Sequence, residues 1–285
     1  MRLTLRLVLF LVGFSFVCQS QELPAFSHVF VVLEENANYN SVIGNPAMPY
    51  LNSLANTYGL ATQYYANTHP SIGNYFMLTT GQIITNNDGF NGVVTADNVV
   101  AHLLAAGKTW KAYEESIPHA GYFTPDTSLY ARRHCPLSYF PEVIGTAKQS
   151  LNLVPFTQFA TDLANNDFPD YSFITPNLCN DAHNCPLGTA DTWLRTNIDP
   201  LIKSQGFQDG GLLIITFDES GSDNSHGGGL VAWIAVSPRY SKLQYQSTTL
   251  YQHQSTLRLM MQGLGLTSYP GAAQTAPNMA EFFNP

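Results

Sequence analysis

Three continuous apolar runs in this chain end abruptly in polar clusters. Residues 28–33 (HVFVVL) stop at Glu34, Glu35 and Asn36, residues 171–175 (YSFIT) empty into PNLCNDAHNC, and residues 212–217 (LLIITF) stop at Asp218 and Glu219. Short apolar runs rich in β-branched residues, with no polar alternation, predict strands buried on both faces, as in a parallel sheet covered by helices. Further strands are predicted over 60–66, 109–113 and 230–236. Helical periodicity predicts helices from Pro49 to near Gly59, after Ser71 through Asn74, Tyr75, Met77 and Leu78, and over 98–106, 156–165, 192–203 and 255–263. Residues 114–155 are rich in Pro, Tyr, Gly and His without a clear period, and predict long surface loops able to roof a site. Strands alternating with helices imply an α/β fold, a mostly parallel central sheet between two helical layers. Such sheets bind ligands at the C-terminal ends of their strands. The clusters Glu35/Asn36, Asp181/His183 and Asp218/Glu219 each follow a predicted strand, so all three are expected to converge on one edge.

Composition narrows the function classes. With 285 residues and 45% hydrophobic content the chain can bury a large core. A net charge of −8 leaves no basic stripe for a phosphate backbone, which argues against a nucleic-acid partner but not against a small phosphorylated substrate held with a metal. Arg2 and Arg6, an apolar run over 7–17, and then Cys18, Gln19 and Ser20 predict a signal peptide over residues 1–20. The run is short for a membrane span and no later segment is long enough, so no stable membrane insertion is expected. The expected product is a secreted or periplasmic protein with one catalytic domain over 21–285. A lipid anchor on Cys18 is disfavoured by the bulk of Phe16 and Val17. In an oxidising compartment Cys179 and Cys185 are the expected disulfide, clamping the loop that carries Asp181 and His183, with Cys135 left over.

The stretch THPSIGNYFMLTTG, residues 68–81, places Ser71 where a turn enters a helix. Pro70 fixes its own φ and biases His69 toward an extended backbone. Two readings stay open on this stretch alone: Ser71 caps the helix, or its hydroxyl is a nucleophile beside backbone N–H groups that attract an anion. Glu35, Asn36, Asp218 and Glu219 supply oxygen ligands at buried strand ends, where unpaired charge is costly. One divalent cation resolves that cost; oxygen ligation suits Mg²⁺, Ca²⁺ or Mn²⁺, and a catalytic Zn²⁺ or Fe is also compatible. GSDNSHGGG lacks the spacing of a phosphate-binding P-loop and reads as backbone room around His226. His183 and His226 stand out among the histidines because each lies in a polar loop after a strand; His28, inside an apolar run, reads as core.

The blocks VVLEENANYNSVIG, THPSIGNYFMLTTG, YSFITPNLCNDAHNC, IITFDESGSDNSHGGG and YQHQSTLRLMMQGLG, in this order through most of residues 28–284, resemble the bacterial and fungal phosphoesterase family of secreted acid phosphatases and phospholipases C. Through that family they resemble the alkaline phosphatase superfamily, whose nucleophile lies ten residues before the Gly of a Thr-Gly pair, as Ser71 does before Gly81. The resemblance implies an alkaline-phosphatase-like three-layer α/β/α sandwich with Ser71 as nucleophile. It also implies Glu35, Asn36, Asp218 and Glu219 as ligands of one metal, and His183 and His226 as groups acting on the phosphoryl oxygens or the leaving group. Asn74, His134 and Asp181 are implied as substrate contacts. His253 lies in the closing His-x-Ser block as a structural residue. The implied activity is phosphate monoester hydrolysis through a phosphoserine; the alternatives are a phospholipase C and a secreted binding protein with a dead site.

Overall fold

The computed structural model describes residues 22–284, so the predicted signal peptide lies outside the described residues. Its centre is a sheet of eight strands. In chain order the strands are β1 (His28–Glu34), β2 (Gly59–Ala61), β3 (Tyr64–Tyr65), β4 (Trp110–Glu114), β5 (Leu153–Pro155), β6 (Tyr171–Thr175), β7 (Gly211–Phe217), β8 (Trp233–Val236), β9 (Tyr245–Ser247) and β10 (Tyr251–Gln252). The large sheet runs β5-β4-β6-β1-β7-β8-β2-β9, and β10 with β3 forms a small parallel pair beside it. Only β8 runs against its neighbours, pairing antiparallel with β7 and β2. The sheet is therefore the mostly parallel one expected, flanked by helices. Val29 to Leu33 and Leu212 to Ile215 are fully buried. At roughly 1.5–3 kcal/mol for each such side chain, these two strands anchor the core.

Register fixes the functional edge. β1 lies between β6 and β7, with Val32 opposite Ile174 on one side and Glu34 opposite Phe217 on the other. Pairing continues one step past the strands, because the Asp218 N–H donates to the Glu34 carbonyl at 3.0 Å and the Glu35 N–H to the Asp181 carbonyl at 2.8 Å. Three separate polar clusters are thereby laced together by backbone hydrogen bonds at the C-terminal ends of adjacent strands.

The helix Ile72–Thr80 is buried at every position and packs against His253–Gly263. It stops at Gly81, which adopts φ 67° and has Pro270 O 2.4 Å from where a Cβ would sit. Only glycine meets both demands. His253 is fully buried. Its Nε2 donates to the Asp218 carbonyl at 2.6 Å, leaving Nδ1 to accept from Tyr64 Oη at 3.0 Å, which makes it a structural support beneath the acidic pair.

Four local expectations differ. The predicted strand over 60–66 is two strands, β2 and β3. The strand expected from Leu230 begins at Trp233, while Leu230 itself makes an isolated bridge to Tyr65. The helix over 192–203 begins earlier and divides into Leu187–Asn197 and Asp199–Lys203. Pro200, which has no N–H to donate, sits in the first turn of the second piece. Within 114–155 the chain holds short helical turns and edge strand β5, whose three residues are too few to show a period.

The glycines of GSDNSHGGG also serve a different neighbour from the one expected. A Cβ on Gly228 would lie 2.6 Å from both Ala66 Cβ and Thr68 O, and one on Gly227 2.1 Å from Asn67 O. They make room for the backbone segment 66–68 that leads to Ser71. Gly228→Ala is expected to push that segment away from its place, at a cost of about 1–3 kcal/mol as for other overpacked sites. Urea unfolding of wild type and variant measures the difference.

Candidate active site

Ser71 occupies the N-cap position of the Ile72–Thr80 helix, but its hydroxyl does not cap it. The Oγ lies 3.0 Å from Glu219 Oε1 and 3.2 Å from Glu35 Oε2. Ser71 is 3% exposed, so a hydroxyl is held between two carboxyl groups out of bulk solvent. The first helical donor is taken elsewhere: the Ile72 N–H donates to Asp88 Oδ1 at 3.2 Å. The capping reading of Ser71 therefore gives way to one in which its oxygen belongs to the acidic cluster.

Glu35, Asp218 and Glu219 lie around Ser71. Asp218 is fully buried; its Oδ1 accepts the Asn36 N–H at 3.1 Å and its Oδ2 has no hydrogen-bond partner among the described residues. Asn36 turns the chain at φ 49° and reaches the cluster through its backbone N–H; the residue also lines a groove with Ala37, Ala182 and Gly221. Glu34 is fully buried as well, with neither oxygen hydrogen-bonded among the described residues. Strand alternation turns it to the opposite face of the sheet from Glu35.

On the other flank of Glu35, its Oε1 accepts from Tyr75 Oη and lies 3.2 Å from His134 Nε2. His134 stacks on Tyr75 with ring centroids 5.0 Å apart, and its Nδ1 is 3.6 Å from Asp181 Oδ2. Glu35, His134 and Asp181 bring one donor atom each to within 4.8 Å of one another, all buried. This group is able to hold a metal ion and shares Glu35 with the carboxyl cluster around Ser71.

The remaining predicted residues sit further out or face inward. The Asn74 side chain is fully buried: Oδ1 accepts the N–H groups of Asn67 and Thr68 at 2.9 and 3.1 Å, and Nδ2 donates to Thr68 O at 2.8 Å. It clamps the segment that delivers Ser71. His183 is exposed in the loop closed by the Cys179–Cys185 disulfide; its N–H donates to Asp181 Oδ1 at 2.8 Å and its ring lies 6.0 Å from that of His134. His226 is exposed at φ 54° with its ring 4.2 Å from Tyr65. Among the described residues it makes no hydrogen bond or ion pair with the Ser71 cluster.

Two residues that the sequence did not single out, His69 and Tyr75, join the cluster, and a third, Arg133, lies beside it. His69 Nδ1 contacts Glu219 Oε2, and its Nε2 is 3.0 Å from the Asp223 carbonyl. Tyr75 binds Glu35. Arg133 Nη1 lies 3.2 Å from Asp126 Oδ2 and its Nε 3.8 Å from Asp88 Oδ2, which links the roof to the start of the Ser71 helix. The available signal was proximity, since His69 and Tyr75 flank Ser71 within one block and Arg133 precedes His134.

Residues 45–267 match the phosphoesterase family. The chain belongs to that family. It is 31% identical over 253 residues to an acid phosphatase of Aspergillus fumigatus, covering 86% of this chain and 56% of the relative. It is 34% identical over 200 residues to a phosphatidylinositol-3-phosphatase of Mycobacterium tuberculosis, covering 69% and 64%. The chain thus spans less than two thirds of the length of these relatives. In fold it is similar to human ectonucleotide pyrophosphatase/phosphodiesterase 5, with a TM-score of 0.62 at 11% identity over 90% of this chain and 100% of that one. A Vibrio parahaemolyticus protein of the alkaline phosphatase superfamily gives 0.60 at 13% identity over 90% and 71%.

In this member of the phosphoesterase family the cluster is electrostatically expensive. Burial raises the Glu35 and Asp218 carboxyls well above their usual range; Asp218 and Asp181 add to the effect on Glu35, and Glu219 to that on Asp218. Burial lifts Asp181 from 3.8 to about 7, and lowers His134, helped by the Arg133 charge. A carboxyl whose pKa is higher in the folded protein keeps a proton there that the unfolded chain releases. Its contribution to stability therefore falls as pH rises from the unfolded value toward the folded one. For Asp181 that window is pH 3.8 to about 7. His134, whose pKa is lowered, acts in the opposite sense up to pH 6.5, but the raised carboxyls of Glu35, Asp181 and Asp218 outnumber it, so the metal-free protein is expected to melt at least roughly 3 °C lower at pH 7.5 than at pH 5, with the gap shrinking when a divalent cation is added. Thermal scans in chelator and in Mn²⁺ at the two pH values measure it.

Proposed function

We propose that this chain is an exported phosphoesterase domain that hydrolyses phosphate monoesters, with Ser71 as the nucleophile and one divalent metal ion. The observation that carries the reading is the Ser71 hydroxyl itself, withdrawn from its helix and held 3.0 and 3.2 Å from Glu219 and Glu35. Names of relatives that include acid phosphatases support the substrate class.

The donor set fits a metal. Asp218 Oδ2, Asp181 Oδ2 and His134 Nε2 are buried and without hydrogen-bond partners among the described residues, and each is a ligand atom for a divalent ion. Glu35, Asp218 and Glu219, with Asn36 beside them, would hold the ion next to Ser71; Glu35, His134 and Asp181 form the adjoining group. A bound divalent cation lowers the pKa of a hydroxyl and neutralises phosphoryl oxygens.

The chain's own residues then divide the work. Ser71 Oγ forms a bond to phosphorus as the ester oxygen leaves, and its proton passes to the carboxyl group beside it. Asn74 holds the 67–68 backbone so that the Oγ stays aimed out of the helix. His183 or His226, from the exposed loops, protonates the departing oxygen. Water then cleaves the phosphoserine and regenerates Ser71.

A second reading is favoured by one feature of the roof. Val93, Phe123, Pro125 and Ile144 line a mostly apolar cavity of about 410 Å³ beside Arg132. Such a groove suits the apolar part of a lipid phosphate ester, whether as a phosphoinositide monoester or in a phospholipase C reaction. Purified protein assayed on p-nitrophenyl phosphate, its diester and phosphatidylcholine, with and without chelator, separates these outcomes from a binding protein without turnover.

Ser71→Ala is expected to abolish turnover of p-nitrophenyl phosphate while metal content by elemental analysis stays at one ion per chain. More than about a tenth of wild-type kcat remaining rules out Ser71 as the nucleophile, given the much larger loss expected when a covalent nucleophile is removed. His226→Gln is expected to lower kcat by roughly 10²-fold, on the scale of a general acid, without loss of metal. Stripping of the metal by that substitution makes His226 a ligand instead.

A further inference from the structure

The segment from Ala66 to Ser71 is held at several points that do not involve the His69 ring. Asn74 binds the backbone of Asn67 and Thr68 on three atoms, and Asn86 Nδ2 donates to Thr68 Oγ1 at 2.9 Å. Ala66 exchanges hydrogen bonds with the glycine loop, its N–H to Gly229 O at 2.9 Å and its carbonyl from the Gly228 N–H at 3.1 Å. The ring is therefore not needed as an anchor for its own segment, and both of its nitrogens are spent on the loop after β7. The Asp223 carbonyl can only accept, so Nε2 carries the hydrogen and donates to it at 3.0 Å. With Nε2 donating there, the Nδ1 contact with Glu219 Oε2 is a hydrogen bond that takes a further proton between the two atoms. The other oxygen of that carboxyl, Oε1, is left 3.0 Å from Ser71 Oγ.

We propose that His69 is a positioning residue for the metal centre: by binding Oε2 of Glu219 and the Asp223 carbonyl together, it fixes the carboxyl so that Oε1 faces Ser71 and the ion. This rests on Glu219 being a metal ligand, as in the function proposed above. Outer groups that orient a ligand typically contribute 10–100-fold in metal affinity. The residue stands two positions before the nucleophile, so one loop sets both the attacking oxygen and the ligand beside it.

The geometry of the two nitrogens supplies the test. An asparagine amide reaches roughly where Nδ1 lies and can still bind Glu219; a glutamine amide reaches roughly where Nε2 lies and keeps only the Asp223 contact. Mn²⁺ dissociation constants, from titration of chelator-treated protein followed by the EPR signal of free Mn²⁺, are compared for wild type, His69→Asn, His69→Gln and Glu219→Gln, alongside apo melting temperatures. His69→Gln is expected to weaken Mn²⁺ about 10–100-fold and His69→Asn to stay near wild type, with apo melting temperatures unchanged in both. Wild-type affinity in His69→Gln, while Glu219→Gln binds weakly, overturns the inference and leaves the ligand role of Glu219 standing. Equal loss in both His69 variants with lowered melting temperatures also overturns it, in favour of a purely structural ring. Unchanged affinity in Glu219→Gln removes Glu219 from the ligand set and overturns the inference along with that part of the proposed function.

Discussion

Like charge crowded at one edge of a parallel sheet is the constraint that orders this site. β1 is hydrogen-bonded on both sides, to β6 and to β7, and the pairing extends through Glu35 N–H to Asp181 O and Asp218 N–H to Glu34 O. Glu34, Glu35, Asp181, Asp218 and Glu219 therefore cannot spread apart without unzipping the centre of the sheet. A carboxylate out of water costs several kcal/mol unless it is protonated, hydrogen-bonded or bound to a cation. Each neighbour supplies part of that compensation. Tyr75 and Ser71 direct hydroxyls at Glu35, the Asn36 N–H is given to Asp218, and His69 meets Glu219. What stays uncompensated is concentrated on Asp218 Oδ2, Asp181 Oδ2 and His134 Nε2, and on the two oxygens of Glu34.

The two adjacent glutamates at the end of β1, Glu34 in the strand and Glu35 just past it, show how strand geometry assigns chemistry. Alternation sends Glu35 toward Ser71 and Glu34 toward the other face. Burial, reinforced by Asp181, Asp191 and Glu115, raises the Glu34 carboxyl well above its usual range. Burial without a hydrogen bond thus favours the neutral form of Glu34, whereas Glu35 has donors on both oxygens. One residue of register decides the difference, which is why the β1 pairing with two neighbours matters more than the composition of the cluster.

Much of this was legible in the chain because apolar strands that stop at acids carry a period-independent signal. β1, β6 and β7 could be read from unbroken burial, and convergence of Glu35, Asp181 and Asp218 then follows from parallel topology alone. Edge strands β5 and β9, three residues each, gave no such signal, and their pairing depends on neighbours distant in sequence. His134 belonged to a stretch without periodicity, so only its resemblance to a family block marked it. Its stacking on Tyr75 and its place between Glu35 and Asp181 are tertiary facts. His69 was visible as a residue but not as a partner, because Glu219 lies 150 positions away.

Asn74 and the triple glycine show a more general limit. Both sit in blocks that read as chemistry, a polar side chain one turn after a nucleophile and a flexible loop around a histidine. Asn74 spends both ends of its amide on the backbone of residues 67 and 68, and Gly227 and Gly228 leave space for the same backbone. The two motifs, some 150 residues apart, act on one short segment. A backbone pinned in this way can hold Ser71 at the head of a helix while its hydroxyl points away from the helix, a geometry that a freely capping serine would abandon for the nearest unpaired N–H. The Ile72 N–H that would otherwise draw the hydroxyl is satisfied by Asp88, so nothing in the first turn competes with Glu35 and Glu219 for the Ser71 oxygen. The placement of the Ser71 hydroxyl is thus built as much by removing the partners of a normal helix cap as by adding the carboxyl groups that replace them.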